Sequence, residues 1–378
     1  MTAATTPDTT VTGKAHYEVL DGLRGSAAVL VVLFHIMGMT VSWADTGQLL
    51  HHAALAVDFF FVLSGFVIAF AYDDRWKTMS TGQFILIRLV RLHPLVLLGA
   101  VLGLLSFVFD PFATNQKAIP LATVLVDFAL ICLMLPHAPL PNRWTDTHSL
   151  NSPAWSLLQE YIGNLAYALV LRRLGTKTLG LLVVLAGALL AWCAWDKNSL
   201  DLGSYWETLW QGTARMAFSF MMGLWLYRVR DRFPKIRLGW IAATIVLVAV
   251  FAIPLMPKDL PLFGPVFGPH ANGIYEVSMV IVVFPLLILC GAHSQIPALE
   301  MALCKFAGRI SYPIYILHYP FLLIYMNFVT FTKPPLQTAH IAGAAAFVIV
   351  VTFAWLAVKF YDEPVRNWLK PLTRKGKA

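Results

Sequence analysis

Apolar stretches of about 18 to 22 residues recur from Arg24 to Tyr361, each long enough to cross the ~30 Å hydrocarbon core of a bilayer as a helix. A backbone in hydrocarbon must satisfy its own hydrogen bonds, so a chain of this kind folds as a helical bundle. Hydrophobic residues are 58% of the chain and charged residues 13%, roughly half the charged share of a soluble domain. Segments begin near Arg24, Ala53, Phe84, Pro120, Pro153, Thr178, Thr208, Leu238, Gly273, Ile310 and Ala339. The chain therefore reads as an all-α integral membrane protein. One polytopic domain, residues 24–361, lies between a polar cytoplasmic segment, 1–23, and a basic cytoplasmic tail, 362–378.

The first 23 residues hold no apolar core, so the first span is expected to remain as an uncleaved anchor. A formal charge of +8 is not a nucleic-acid signature here, because the excess sits in short loops beside span ends. These clusters are Arg75/Lys77/Arg88/Arg91, Arg172/Arg173/Lys177, Arg228 to Arg237, Lys305/Arg309 and Lys370 to Lys377. If all face the cytoplasm, Phe84 to Arg172 must hold an even number of crossings although it contains three apolar segments. Pro120 to Leu135, short and carrying Asp127, is then a re-entrant or interfacial piece. About ten transmembrane helices with both termini inside are predicted. Four scattered cysteines offer neither metal-ligand spacing nor a disulfide framework, and no metal is expected.

Ionisable residues inside the spans are the functional candidates, since charge in hydrocarbon is costly. Arg24 and His35 are eleven residues apart, which returns both to one helical stripe about 16 Å apart along the axis. Arg88 and Arg91, at i and i+3, project from one face, and with Arg24 they suit a fork-shaped anion site. Snorkelling to lipid phosphates is the plain alternative for each arginine alone. Asp58, ahead of an aromatic run and Ser64-Gly65, needs a histidine or arginine partner. Ser64-Gly65 reads as a close helix approach, and Ser152-Pro153 as the capped entry of a helix bearing a second buried carboxylate, Glu160. His318 lies deep on a proline-bounded helix whose Tyr312, Tyr315 and Tyr319 read as interfacial anchors.

His51, His52, His137, His148 and His270 read as solvated or rim residues of outer loops, and Asp362, Glu363 and Arg366 as an interfacial charge cluster. Trp43, Trp144, Trp195, Trp206 and Trp210 suit either sugar stacking or interface anchoring, the latter for most of them.

Six strings in order resemble the acyltransferase-3 family of integral membrane acyltransferases. They are Leu20-Asp-Gly-Leu-Arg24 with the arginine-ten-histidine spacing, Val57-Asp-Phe-Phe-Phe-Val-Leu-Ser-Gly-Phe, Arg88-Leu-Val-Arg91, Trp155-Ser-Leu-Leu-Gln-Glu160, Ile310-Ser-Tyr-Pro-Ile-Tyr-Ile-Leu-His318 and Tyr361-Asp-Glu-Pro364. Ala56 and His93 depart from the usual pattern without removing a proposed catalytic group. The resemblance implies transfer of an acyl group, usually acetyl, from acetyl-CoA or another acyl-CoA to a hydroxyl of a sugar, polysaccharide precursor or related acceptor. Arg24, Arg88 and Arg91, with Ser64 and Tyr312, are then expected on the donor side, and His35, Asp58, Glu160 and His318 at the reaction centre. His35 would act as general base or acyl-carrying nucleophile, with Asp58 or Glu160 orienting its ring. Some relatives carry a fused SGNH-type domain, but only seventeen residues follow Tyr361, so a stand-alone form in the bacterial inner membrane is expected. Rival readings are a proton-coupled transporter, which lacks its usual internal repeat here, and an acyl translocator feeding a separate transferase.

Overall fold

The computed structural model describes residues 16–41, 47–113, 119–140, 143, 146–257 and 264–373. Most of the polar segment 1–23, Trp43, Trp144 and the last basic residues from Arg374 lie outside them. Each apolar segment forms a helix: α1 (Glu18–Thr40), α2 (Ala56–Tyr72), α3 (Thr81–Val108), α4 (Leu121–Cys132), α5 (Ala154–Leu169), α6 (Thr176–Lys197), α7 (Leu209–Val229) and α8 (Trp240–Ala252). Then follow α9 (Gly268–His293), α10 (Ala298–Thr332) and α11 (Leu336–Thr373). Among the described residues, seven helical stretches, containing α1, α2, α3, α6, α9, α10 and α11, are long and apolar enough to cross a membrane. The protein is an all-α membrane protein. At twelve residues α4 is about 18 Å long, too short to span.

Two pairings organise the bundle, α1 along α10 and α2 along α7. Glycine makes the second one close: a Cβ at Gly65 would overlap the Phe220 carbonyl, and one at Gly223 the Val62 carbonyl. The backbones thus approach through small residues, as helices do where lipid removes the hydrophobic drive between them. Outward faces are apolar, as Leu181, Val184 and Leu185 on α6 and Ile341, Val348 and Ile349 on α11 show.

Contacts gather the basic connections at one end, where α1 begins. Arg228 Nε donates to Asp73 Oδ2 at 2.8 Å, Arg172 lies 4.0 Å over the Trp76 ring, Arg309 is paired with Glu363 at 2.6 Å, and Gln83 Nε2 donates to Thr373 O at 3.1 Å. We call this the basic end and the other the outer end.

Proline shapes the helices that carry the site. α10 begins twelve residues before the expected Ile310 and runs unbroken through Pro313 and Pro320, so those prolines lie inside the helix rather than bounding it. Pro320 has no N–H for the Ile316 carbonyl. Asn151 Nδ2, from the loop before α5, supplies the missing donor at 2.8 Å. In α9 and α11 a π-turn, Met279–Val283 and Val358–Asp362, immediately precedes the helical pieces carrying Pro285 and Pro364. Ser152 is not the N-cap of α5; Pro153 holds that position.

Candidate active site

Two cavities enter the bundle from opposite ends. The inner one, of about 550 Å³, opens among the basic residues and is lined by Arg24, Arg88, Arg91, Ser64, Glu160 and Tyr312, among others. The outer one, of about 620 Å³, is lined by His35, Asp146, Trp155, Asp201, Arg215 and Glu276, among others. Val57 and Tyr315 line both. Between them, Ser156 and the Tyr315 hydroxyl share a hydrogen bond of 2.6 Å.

At the inner cavity the sequence candidates converge. Arg24 is held by α10: Nε donates to Ser311 Oγ at 2.8 Å and Nη2 to Gly308 O at 2.8 Å, with Asp21 Oδ1 at 3.0 Å. Arg88 Nη2 donates to Glu160 Oε1 at 2.9 Å, and Ser64 Oγ donates to the same oxygen at 2.6 Å. The Arg88 Nε atom is buried without a partner. Arg91 is exposed, with no hydrogen bond or ion pair found among the described residues. The Tyr312 hydroxyl donates to Leu92 O at 2.7 Å. A cavity with a free guanidinium and a partly satisfied one is suited to an anion, because guanidinium forks match phosphate oxygens.

His35, which lines the outer cavity, meets the buried His318, their ring centroids 5.1 Å apart. His35 Nδ1 lies 2.8 Å from Val31 O, and His318 Nδ1 2.7 Å from Tyr315 O. A carbonyl only accepts, so each neutral ring carries its proton on Nδ1 and its lone pair on Nε2. His318 Nε2 is buried without a partner. Tyr319 stands edge-on to His35, with centroids 5.5 Å apart, and its hydroxyl donates to Asp146 Oδ2 at 3.2 Å.

Neither carboxylate expected to orient His35 does so through a hydrogen bond found here. Asp58 is buried and bound by Arg215 of α7, with Nη2 to Oδ2 at 2.6 Å and Nε to Oδ1 at 3.2 Å. Arg215 also donates to Leu202 O at 2.6 Å and Ala54 O at 3.0 Å, tying α2 to the loop before α7. Glu160 is bound by Arg88 and Ser64 at the inner cavity. The backbone Nδ1 bond orients each imidazole instead. Sequence reading left Arg215 and Asp146 out. Arg215 was detectable as an intramembrane cation in the Trp210 to Met222 apolar run, whereas nothing local marks Asp146.

Other expectations change with packing. Tyr315 and Tyr319 are buried against the centre, not interfacial anchors. His52 and His148 are buried rather than solvated: His52 Nδ1 lies 2.7 Å from Glu276 Oε1, and burial pushes His148 down to about 4. The other oxygen of Glu276 accepts from Leu200 N. Asp127 is buried with His137 3.2 Å away. Trp195 stacks on His270, centroids 3.9 Å apart, and Trp155, not Trp195, Trp206 or Trp210, lines the outer cavity.

Burial pushes the Asp146 carboxyl up to about 7, against hydrogen bonds from Ser152 and Tyr319 that pull it down. An acid whose folded value is raised binds more protons folded than unfolded, so its stabilisation is full below the unfolded value, about 4, and is lost as pH rises through 7. Asp146→Asn is therefore expected to flatten the fall in melting temperature between about pH 4 and 7. A melting curve with the wild-type pH slope would refute this assignment.

A family model described as "Acyltransferase domain" matches residues 17–359. "Protein 2 in picA locus" of Rhizobium radiobacter is 36% identical over 159 residues, 40% of this chain and 80% of that protein. "Peptidoglycan O-acetyltransferase OatA" of Listeria monocytogenes serovar 1/2a is 25% identical over 387 residues, 95% of this chain. The chain spans 57% of the length of the Listeria protein. No solved structure matches the chain.

Proposed function

The chain belongs to the acyltransferase-3 family, matched over residues 17–359, and on that premise we propose that it moves an acyl group, acetyl in the simplest case, from acyl-CoA to a hydroxyl of a carbohydrate or related acceptor. The observation that carries this reading is the meeting of two unlike cavities, one lined by arginines and the other by carboxylates and aromatics, beside His35 and Tyr315. The printed name of the Listeria relative, a peptidoglycan O-acetyltransferase, supports acetyl as the group and a carbohydrate hydroxyl as its destination.

Arg24, Arg88 and Arg91 hold the donor's diphosphate, Ser64 and Glu160 keep Arg88 in place, and the pantetheine arm extends toward Tyr315. The roughly 16 Å along α1 between Arg24 and His35 is of the order of that arm. The donor supplies an activated thioester. In the direct route, the acceptor oxygen attacks the thioester carbonyl while His35 Nε2 takes its proton, then the C–S bond breaks and the imidazolium returns the proton to the departing thiolate. The Val31 carbonyl stabilises that cation by holding Nδ1–H, as an acidic triad member does elsewhere. His318, whose Nε2 has no partner, is the second group able to hold the transferred proton.

Under the positive-inside rule the basic end faces the cytoplasm, where acyl-CoA is made, with both chain termini on that side and the outer cavity facing away. A bacterial inner membrane suits this arrangement. The deciding experiment uses the purified full chain in detergent with acetyl-CoA and a panel of soluble glycans. Free thiol release together with acetylated glycan is the expected result. Neither product, under conditions where the protein remains folded, would overturn the reading; donor cleavage without glycan acylation would favour an acyl translocator that needs a separate transferase.

A further inference from the structure

The inner cavity holds more cationic residues than one diphosphate requires. Beside Arg24, Arg88 and Arg91 it is lined by Lys305 and Arg309 of α10 and Arg366 of α11. Six cations face three lining carboxylates, Asp21, Glu160 and Asp362. The two groups are contiguous, lining one cavity.

Their exposures differ. The Arg309 and Lys305 side chains are each 53% exposed and that of Arg366 28%, against 26% for Arg24 and 11% for Arg88. Arg24, held through Ser311 and Gly308, lies level with Arg309 along α10. The more exposed cations also keep donors free. Arg366 gives Nη2 to Asp362 at 2.8 Å, while its Nε is buried without a partner. Arg309 uses Nε and Nη2 on Glu363, and Lys305 is loosely placed, 3.8 Å from Glu18. Asp362 is 4% exposed and its Oδ1 is also unpartnered, so it holds Arg366 in place with one oxygen only.

Resting on acyl-CoA as donor, we propose that Arg309 and Arg366, with Lys305 at the rim, form a second phosphate subsite that reads the 3′-phosphate of the donor's ribose. An acyl-CoA carries two separate anionic loci: a diphosphate at the end of the pantetheine arm, and a phosphomonoester beyond it on the nucleoside. The monoester bears about −1.5 to −2 charge near neutral pH and three strong acceptor oxygens. A better-buried pair, Arg24 and Arg88, and a more exposed group in the same cavity offer two places for those two charges. Arg366 Nε is then a donor waiting for an acceptor, and the Glu363 and Asp362 carboxylates hold the guanidiniums at the right place in the empty cavity. A donor lacking the 3′-phosphate would leave this subsite unfilled while keeping every contact to the better-buried arginines.

The test compares KM for acetyl-CoA and acetyl-dephospho-CoA, followed by thiol release from the purified full chain in detergent. The wild type should show a KM at least about tenfold higher for the dephospho donor, as loss of a charge-assisted phosphate contact implies. In the Arg309→Gln/Arg366→Gln variant, KM for acetyl-CoA should rise to about the dephospho value while KM for acetyl-dephospho-CoA moves less than about twofold, the coupling a double-mutant cycle isolates. Arg366→Lys, which keeps the charge, should retain part of the discrimination. The unchanged dephospho KM shows that the variant is folded. Equal KM values for both donors in the wild type, or an equal rise for both in the variant, would overturn the subsite alone. Turnover of neither donor by folded wild type would overturn the donor reading on which it rests.

Discussion

Replacement of His35 by alanine should lower kcat for acyl transfer by about a thousandfold, within the usual range for loss of a positioned general base. The geometry makes this the largest single effect expected on activity. His35 lines the outer cavity and has Nδ1 fixed by the Val31 carbonyl 2.8 Å away on its own helix, so the lone pair on Nε2 is set by α1 itself. Alanine is a good helix former and leaves that helix intact. KM for the acyl donor should therefore change little, because, of the arginines proposed to hold it, Arg24 lies about three turns away along α1 and Arg88 and Arg91 are on α3. Thiol release measured on detergent-purified variant with an unchanged melting temperature checks both points. His35→Gln, which cannot accept and return a proton as imidazole does, should be equally inactive. Turnover near the wild-type rate in either variant would remove His35 from the chemistry.

Arg215→Ala should destabilise the fold by about 3 to 5 kcal/mol, the range for leaving one charge of a buried pair without its partner. Asp58 is 0% exposed, and Arg215 is its ion-pair partner, with a Nη2 to Oδ2 distance of 2.6 Å. The arginine also closes α2 against the outer loop through the Ala54 and Leu202 carbonyls, so both carbonyls would lose a donor together with the charge. Removing both charges should be milder: Asp58→Leu with Arg215→Met is expected to recover much of the loss, as apolar replacements of buried pairs commonly do. Thermal unfolding followed by tryptophan fluorescence in one detergent would rank the three proteins. A single variant melting no lower than the double one would mean that the pair is not what holds α2 to the outer loop.

The apolar helices were legible because hydropathy is a local property, and the shortness of α4 was legible with them. The start of α10 was not, since Ala298 to Arg309 contains Glu300, Lys305 and Arg309 and carries too little apolar signal to read as part of a span. That Arg24, Arg88 and Arg91 share one cavity was legible from their spacing on one face. Their coupling to Glu160 and Ser64 was not, because it depends on α2, α3 and α5 converging from distant parts of the chain. Asp58 announced its need for a cation, and the structure answers with Arg215, 157 residues away. His52 and His148 looked solvated because loops were assumed to face water, whereas these loops fold back over the bundle and bury them.

The hydrogen bond between Ser156 and Tyr315 has a consequence for the membrane as an insulator. On the proposed reading, two water-accessible recesses enter from opposite faces, and only side chains such as these separate them. A protein built this way is a channel stopped short of conduction: ions and protons meet the Tyr315 ring, Phe60 against it with centroids 5.4 Å apart, and the neutral imidazoles beyond. An acyl group can change carriers at that partition without a whole molecule crossing it. The same few side chains that select the reacting atoms would then preserve the voltage across the cell membrane, and a small residue at Tyr315 would exchange synthesis for leak.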